Sequence, residues 1–208
     1  MKQAFTRPHL KCLGWKLFLA ILLSSNLQGQ VLTEKAQAER YDNQLYERIH
    51  KVLPSLMEQH GIDMWLLISR VYNEDPILRT FLPTTWLNAR RRTIILFYKD
   101  EVSGSFEALA VARYGIGNAI KSAWDKEQQP DQWARLLELI QERDPKVIGL
   151  NYSEDYGIAD GIVKTDYEGL MAVLPTVYQQ RVVSAEPLAV SWIETRTPSE
   201  MAVFASMV

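Results

Sequence analysis

The chain has 208 residues, of which 47% are hydrophobic and 23% charged, and its formal net charge is −2. Such a composition is typical of a globular protein with a sizeable core. Residues 1–33 hold four basic residues and no acid, so the rest of the chain carries 19 basic and 25 acidic residues. This acidic balance argues against binding to nucleic-acid phosphates, and we expect no nucleic-acid partner.

The first 29 residues have the three regions of a secretory signal peptide. A basic segment ends at Lys16, an apolar run covers residues 17–23, and a polar segment leads to a cleavage site predicted after Gly29. The apolar run is shorter than the roughly 20 residues that a membrane span needs, so we expect no stable span after cleavage. An uncleaved membrane anchor is the alternative. Cys12 leaves with the signal, and the mature chain is predicted to be periplasmic or secreted.

Helices and strands alternate along the rest of the chain. A helix is predicted over residues 33–60, kinked at Pro54 and ended by Gly61. Further helices are predicted to begin at Asp131 and at a capping box over residues 165–168. The alternation predicts an α/β domain, and a hairpin of the second and third strands makes the sheet mixed. The predicted strands cover residues 64–69, 93–98, 108–112, 147–150 and 182–183.

The end of the chain reads as the start of another helix. Thr197 is a suitable cap, Pro198 suits the first helical position, and Glu200 completes a capping box. A helix this short is marginal without packing. We therefore expect residues 194–208 to open a further domain that this chain lacks.

The most informative segment is the polar run at residues 69–76, which directly follows a fully apolar strand. Polar side chains at the exit of a buried strand are where α/β proteins often contact ligands. The alternative is a simple turn in which Asp75 and Pro76 start a helix. The arginines at 90–92 form a second polar cluster. If they lie on a strand, Arg91 faces away from its two neighbours and one face presents a guanidinium to a carboxylate, or the cluster is only a solvated strand entrance.

Other candidate sites are weaker. His50 and His60 lie ten residues apart on one predicted helix and lack a metal-ligand spacing, so surface roles are favoured. A Gly-x-Gly at residues 115–117 reads better as a turn than as a nucleotide-binding loop. Carboxylates after strands are suitable Mg²⁺ ligands in a nuclease, although they also fit turns and helix starts. These carboxylates are Glu74, Asp75, Glu154, Asp155 and Asp160. We predict no catalytic and no metal-ligating residue in this chain.

Taken together, these motifs resemble the N-terminal domain of the creatinase, prolidase and Xaa-Pro aminopeptidase family of "pita-bread" metallopeptidases, in particular its secreted bacterial members. The resemblance covers roughly residues 39–208. The motifs that carry it are Gly61-Ile62-Asp63, Ser69-Arg70-Val71-Tyr72-Asn73-Glu74-Asp75-Pro76, Arg91-Arg92-Thr93-Ile94 and Glu194-Thr195-Arg196-Thr197-Pro198-Ser199-Glu200.

The resemblance implies a three-layer α/β fold with a mixed sheet, similar to ribonuclease H. It implies a signal peptide at 1–29, the creatinase-like domain at 30–193, and the first helix of a catalytic domain at 194–208. In the family that later domain holds a pair of divalent metals, often manganese, on Asp, His and Glu residues, and none of those ligands can be assigned here. The N-terminal domain helps form a homodimer and reaches a neighbouring active site. By position, Arg70, Tyr72, Asn73 and Arg91 are the candidate substrate-binding residues.

Two functional hypotheses follow. The first is that the chain is the non-catalytic part of a secreted Xaa-Pro aminopeptidase-like enzyme, supplying substrate walls and dimer contacts but no activity alone. Its peptide substrate would be cleaved by the catalytic domain. The second is a stand-alone periplasmic binding or dimerisation domain that uses the same fold without catalysis.

Overall fold

The computed structural model describes residues 32–205, so the predicted signal peptide lies outside the described residues. The chain divides into two compact units, residues 1–37 and 38–208. In the first unit, Thr33 caps the start of a helix, because its hydroxyl accepts a hydrogen bond of 3.3 Å from the Ala36 N–H. The helix therefore begins where the sequence predicts it.

Helices cover much of the described chain. A π-helical turn, Arg48–Val52, joins the first two, just before Pro54, whose missing N–H interrupts the regular hydrogen-bond ladder. Among residues 32–205, no helix has both the length and the apolar character required to cross a bilayer. The helices are α1 (Glu34–Glu47), α2 (Leu53–Gln59), α3 (Pro76–Arg79), α4 (Gln132–Arg143), α5 (Lys164–Val173), α6 (Thr176–Gln179), α7 (Glu186–Glu194) and α8 (Pro198–Ala205).

A mixed sheet of six strands lies at the centre of the fold, in the order β4-β3-β2-β1-β5-β6. The central strand β1 runs antiparallel to β2 and parallel to β5, and β2 and β3 form the predicted hairpin. The mixed α/β sheet is therefore confirmed. The strands are β1 (Met64–Arg70), β2 (Arg92–Lys99), β3 (Phe106–Val111), β4 (Lys121–Ser122), β5 (Ile148–Leu150) and β6 (Val182–Ser184).

Helices cover both faces of the sheet, which explains why β1 is apolar from Met64 to Ile68, before its last two residues. Trp65 and Leu67 pack into a core with α2, α3 and α7, whereas Leu66 and Ile68 pack on the opposite face with α4 and α5. Side chains alternate between the faces of a strand, so a strand that is covered on both sides needs apolar residues throughout.

The predicted capping box at residues 165–168 is wrong. The helix α5 begins at Lys164, and its N-cap, Val163, forms no side-chain cap. Asp166 points into the protein instead and is fully buried. The helix α7 was not predicted from the sequence, although three of its residues, Leu188, Ala189 and Trp192, are buried. By contrast, Thr197 and Glu200 form the predicted reciprocal capping box at the start of α8.

Asp63 connects the starts of β1 and β5. Its buried carboxylate accepts hydrogen bonds from the backbone N–H groups of Lys146 at 2.7 Å and Val147 at 3.1 Å. We expect Asp63→Ala to lower the free energy of unfolding by about 2–4 kcal/mol, because two backbone donors lose their partner. Urea denaturation measures this loss. The matched control is Asp155→Ala in an exposed loop, and an equal effect of the two substitutions would contradict the prediction.

Candidate functional site

The candidate substrate-binding residues come together at the end of β1. Arg70 is the cross-strand partner of Arg92 in β2, and the Val71 N–H donates to the Arg91 carbonyl at 2.8 Å. The chain then turns, with the Asn73 N–H donating to the Arg70 carbonyl at 3.1 Å. Arg70, Tyr72, Asn73 and Arg91 are therefore neighbours at one edge of the sheet. We call residues 70–75 together with Arg91 the β1 exit.

Beneath the β1 exit, one buried carboxylate serves two arginines. Arg70 forms a bidentate pair with Asp166, with Nε–Oδ2 at 2.7 Å and Nη2–Oδ1 at 2.6 Å, and Arg92 Nη1 lies 3.6 Å from Oδ1. Hydrogen bonding of its guanidinium to the Asp166 carboxylate raises the pKa of Arg70, whereas burial lowers the pKa of Arg92. Arg70 is thus committed to a structural pair, and its role at the site is to hold the turn that follows it.

Arg92 is held from two further sides. Its Nε donates to Gln132 Oε1 at 2.8 Å, and its guanidinium lies over the Trp133 ring, 4.2 Å from the centroid. The amide of Gln132 in turn donates to the Val111 carbonyl at 2.6 Å. The start of α4 therefore fixes the orientation of the arginine pair, a contribution that the sequence analysis missed.

Two exposed residues of the β1 exit have left-handed backbone conformations. Tyr72 has a φ of 69° and Arg91 a φ of 53°, and the Tyr72 side chain is 93% exposed. Non-glycine residues are uncommon in this region, which costs on the order of 1 kcal/mol and recurs at functional sites. The carboxylate of Glu74 stabilises the turn by accepting from the Tyr72 N–H at 3.1 Å. Both side chains, a phenol and a guanidinium, are exposed to solvent.

The arginines at 90–92 do not lie together on a strand, so the alternation considered for that case does not apply. Only Arg92 belongs to β2; Arg90 and Arg91 precede it. Because Arg91 adopts the left-handed conformation, the three side chains do not alternate as on a regular strand. The guanidinium of Arg90 instead lies near the rings of Trp86 and Tyr114, at 5.1 and 5.8 Å from their centroids.

Asp75 anchors the other end of the turn. Its Oδ1 accepts from the N–H groups of Ile77 at 2.7 Å and Leu78 at 3.2 Å, which confirms the predicted helix start. Its Oδ2 accepts from Asn151 Nδ2 at 2.9 Å. Burial raises the pKa of Asp75 to about 6, although these hydrogen bonds lower it. A carboxylate used in this way is a structural anchor.

Two residues that support Asp75 lie far from it in sequence. Asn151, at the end of β5, also accepts from Trp65 Nε1 at 2.8 Å, so its amide orientation is fixed. Gly161 packs directly on the Asp75 carboxyl group, where an added Cβ would overlap it. Neither residue was predicted from the sequence. Only the position of Asn151, directly after a strand, could have indicated its role.

The other polar residues weighed as metal ligands have ordinary partners. His50 Nε2 lies 3.0 Å from the Ala119 carbonyl, and His60 Nε2 lies 2.8 Å from Ser191 Oγ. Asp160 accepts from the Ser153 N–H at 3.3 Å, which is a turn contact. In residues 32–205 there is no group of three or more His, Cys, Asp or Glu residues arranged to hold a metal ion.

No protein-family model matches the chain, and no match was found among curated proteins. What the chain shows by itself is a mixed α/β fold with a strained, arginine-supported turn at the exit of its central strand.

The burial of Asp75 makes stability depend on pH. Because its pKa in the folded protein lies above the ordinary value of 3.8 for an aspartate, its contribution is fully present below about pH 4 and is lost as the pH rises through about 6. Relative to Asp75→Asn, the wild-type free energy of unfolding should fall over this window, by at most about 1.4 kcal/mol per pH unit. Urea denaturation of both proteins at a series of pH values measures this. A difference between the two proteins that stays constant with pH would refute the prediction.

Removal of Asp166 should destabilise the β1 exit. Asp166→Ala leaves Arg70 and Arg92 without their carboxylate, and we expect a loss of about 2–3 kcal/mol, since Arg70 retains some access to water. Glu168→Ala on the same helix breaks only an exposed pair with Lys164 and should cost less than about 1 kcal/mol. Thermal and urea denaturation compare the two variants, and similar losses would show that the buried pair is not special.

Proposed function

We propose that this chain is the substrate-wall and dimerisation domain of a secreted Xaa-Pro aminopeptidase-like metallopeptidase, with no catalytic activity of its own. The proposal combines the motifs at residues 61–76 and 91–94 with the observed α/β architecture. A mixed sheet covered by helices on both faces agrees with the creatinase N-terminal fold that those motifs imply.

The observation that carries the proposal is the geometry of the β1 exit. Tyr72 and Arg91 have left-handed backbone conformations and exposed side chains. The turn that contains Tyr72 is stabilised at its two ends by the contacts of Arg70 and Asp75. A preorganised phenol and guanidinium are suited to contacts with a peptide, because little conformational freedom is lost when they bind. They offer a hydrogen-bond donor and a cation, but no nucleophile or general base. This set is suited to a substrate wall.

The chemistry of cleavage would come from elsewhere in the proposed enzyme. A pair of divalent metals, expected to be manganese, would be held by the catalytic domain and would activate water for attack on the amide bond. No residue of this chain is assigned to them. The role of the β1 exit is to bind and orient the peptide, and in a homodimer it would do so at the neighbouring subunit's site.

The test is a peptidase assay with Xaa-Pro peptides and added Mn²⁺. It compares this chain with a longer polypeptide that continues through the coding sequence downstream of Val208. We expect cleavage only by the longer protein. In that protein, Tyr72→Ala combined with Arg91→Gln should raise KM by about tenfold with a smaller change in kcat, as expected when binding contacts are removed.

The matched control in the longer protein is Arg181→Gln, which removes a charge near Asp144, before β6. It should leave KM within about twofold of wild type. If neither protein cleaves the peptides, the metallopeptidase proposal fails and the stand-alone binding domain takes its place. A monomer in light scattering of the longer protein would refute the dimerisation role.

A further inference from the structure

A basic surface lies beside the β1 exit, on an otherwise acidic domain. Neither residues 76–99 nor residues 108–124 contain an Asp or Glu, and the two segments supply several arginines. They meet through the loop before β2 and the turn after β3. Gly117, with a φ of 60°, lets that turn pack closely against Pro83. The meeting point is therefore free of acidic side chains from either segment.

Aromatic rings hold the arginines of this surface in place. The guanidinium of Arg90 lies 5.1 Å from the Trp86 ring centroid and 5.8 Å from that of Tyr114, and the guanidinium of Arg113 lies 6.0 Å from the Tyr114 ring. Tyr114 is 52% exposed, so the group faces solvent. We call Trp86, Arg90, Arg91, Arg113 and Tyr114 the arginine–tyrosine surface.

The arginines of this surface differ from those beneath the β1 exit. Arg70 and Arg92 share the carboxylate of Asp166. Within residues 32–205, no Asp or Glu forms an ion pair with Arg90, Arg91 or Arg113, all of which are exposed. Stacking on a ring leaves the N–H groups at the edge of a guanidinium available, and these match a carboxylate in a two-point contact.

We propose that the arginine–tyrosine surface is a docking site for an acidic segment of a polypeptide partner. Its three arginines form no ion pair with an Asp or Glu of residues 32–205, and two of them, Arg90 and Arg113, lie near aromatic rings. Arg, Tyr and Trp are also the residues that dominate the binding energy of protein interfaces. An extended segment with two or more carboxylates would bridge Arg90 and Arg113 across Tyr114.

The number and type of charges favour a polypeptide over an anionic membrane. Recognition of anionic lipids typically uses clusters of about four to eight basic residues. The arginine–tyrosine surface has three arginines and no lysine. The guanidinium groups of Arg90 and Arg113, which lie near aromatic rings, give directional hydrogen bonds rather than a diffuse positive field. This inference does not depend on the proposed peptidase role, because its test measures equilibrium binding and substitutes only Arg90 and Arg113. Arg91, which the surface shares with the β1 exit, is left unchanged.

The test measures binding of a fluorescein-labelled oligoglutamate peptide by fluorescence anisotropy. We expect binding that weakens with added NaCl, because the ion pairs are exposed to solvent. R90Q combined with R113Q should raise the Kd by about tenfold. The matched control is K146Q, which removes one exposed charge before β5 at the opposite end of the sheet and should change the Kd by less than about twofold.

Three results would overturn the proposal: no binding of oligoglutamate, equal binding of an oligoglutamine peptide, or unchanged binding in the double variant. Sedimentation with vesicles of phosphatidylserine and phosphatidylcholine, without peptide binding, would assign the surface to membranes instead. Both substituted arginines are exposed, so the double variant is expected to fold, and its circular dichroism and melting temperature check this. Peptidase activity plays no part in these measurements, so their failure leaves the proposed function standing.

Discussion

Burying the carboxylate of Asp75 imposes a constraint that the surrounding structure is built to meet. Removed from water, each carboxylate oxygen needs a donor, and the donors come from two distant parts of the chain: the first turn of α3 and the end of β5. Asn151 can serve only because Trp65 fixes its amide, and the backbone can approach only because residue 161 is glycine. One anionic side chain thereby determines where β1 ends, where α3 begins and how the segment after β5 passes over them.

A second buried carboxylate, that of Asp166, stabilises the edge of the sheet as Asp75 stabilises the turn. Asp166 draws Arg70 and Arg92 together across neighbouring strands, although two like charges opposite each other in a sheet would otherwise repel. This pairing allows the ladder between β1 and β2 to continue up to the point where the chain adopts its left-handed conformations. The exposed side chains of the β1 exit are therefore supported by the buried carboxylates of Asp75 and Asp166, both of which have hydrogen-bond donors, rather than by a flexible loop.

The parts of the fold that local sequence determines were predictable. The strands β1, β2 and β5 are apolar enough to be identified alone, and the helix starts at Asp75, Asp131 and Thr197 follow from capping chemistry. The candidate residues were found together because they adjoin a strand end. Contacts between residues far apart in the sequence were not predictable. The pattern at residues 165–168 fits a capping box, yet Asp166 is taken by arginines from the other side of the domain.

The arrangement of strands around β1 has a consequence for how the protein reaches its native state. The β2–β3 hairpin joins residues close in sequence, whereas the parallel pairing of Met64 with Ile148 closes a loop that includes about half of the domain. Closing long loops is entropically costly, so the antiparallel half of the sheet should assemble first. Until β5 arrives, β1 has an open edge and a run of exposed apolar side chains. That interval is when aggregation competes most strongly with folding.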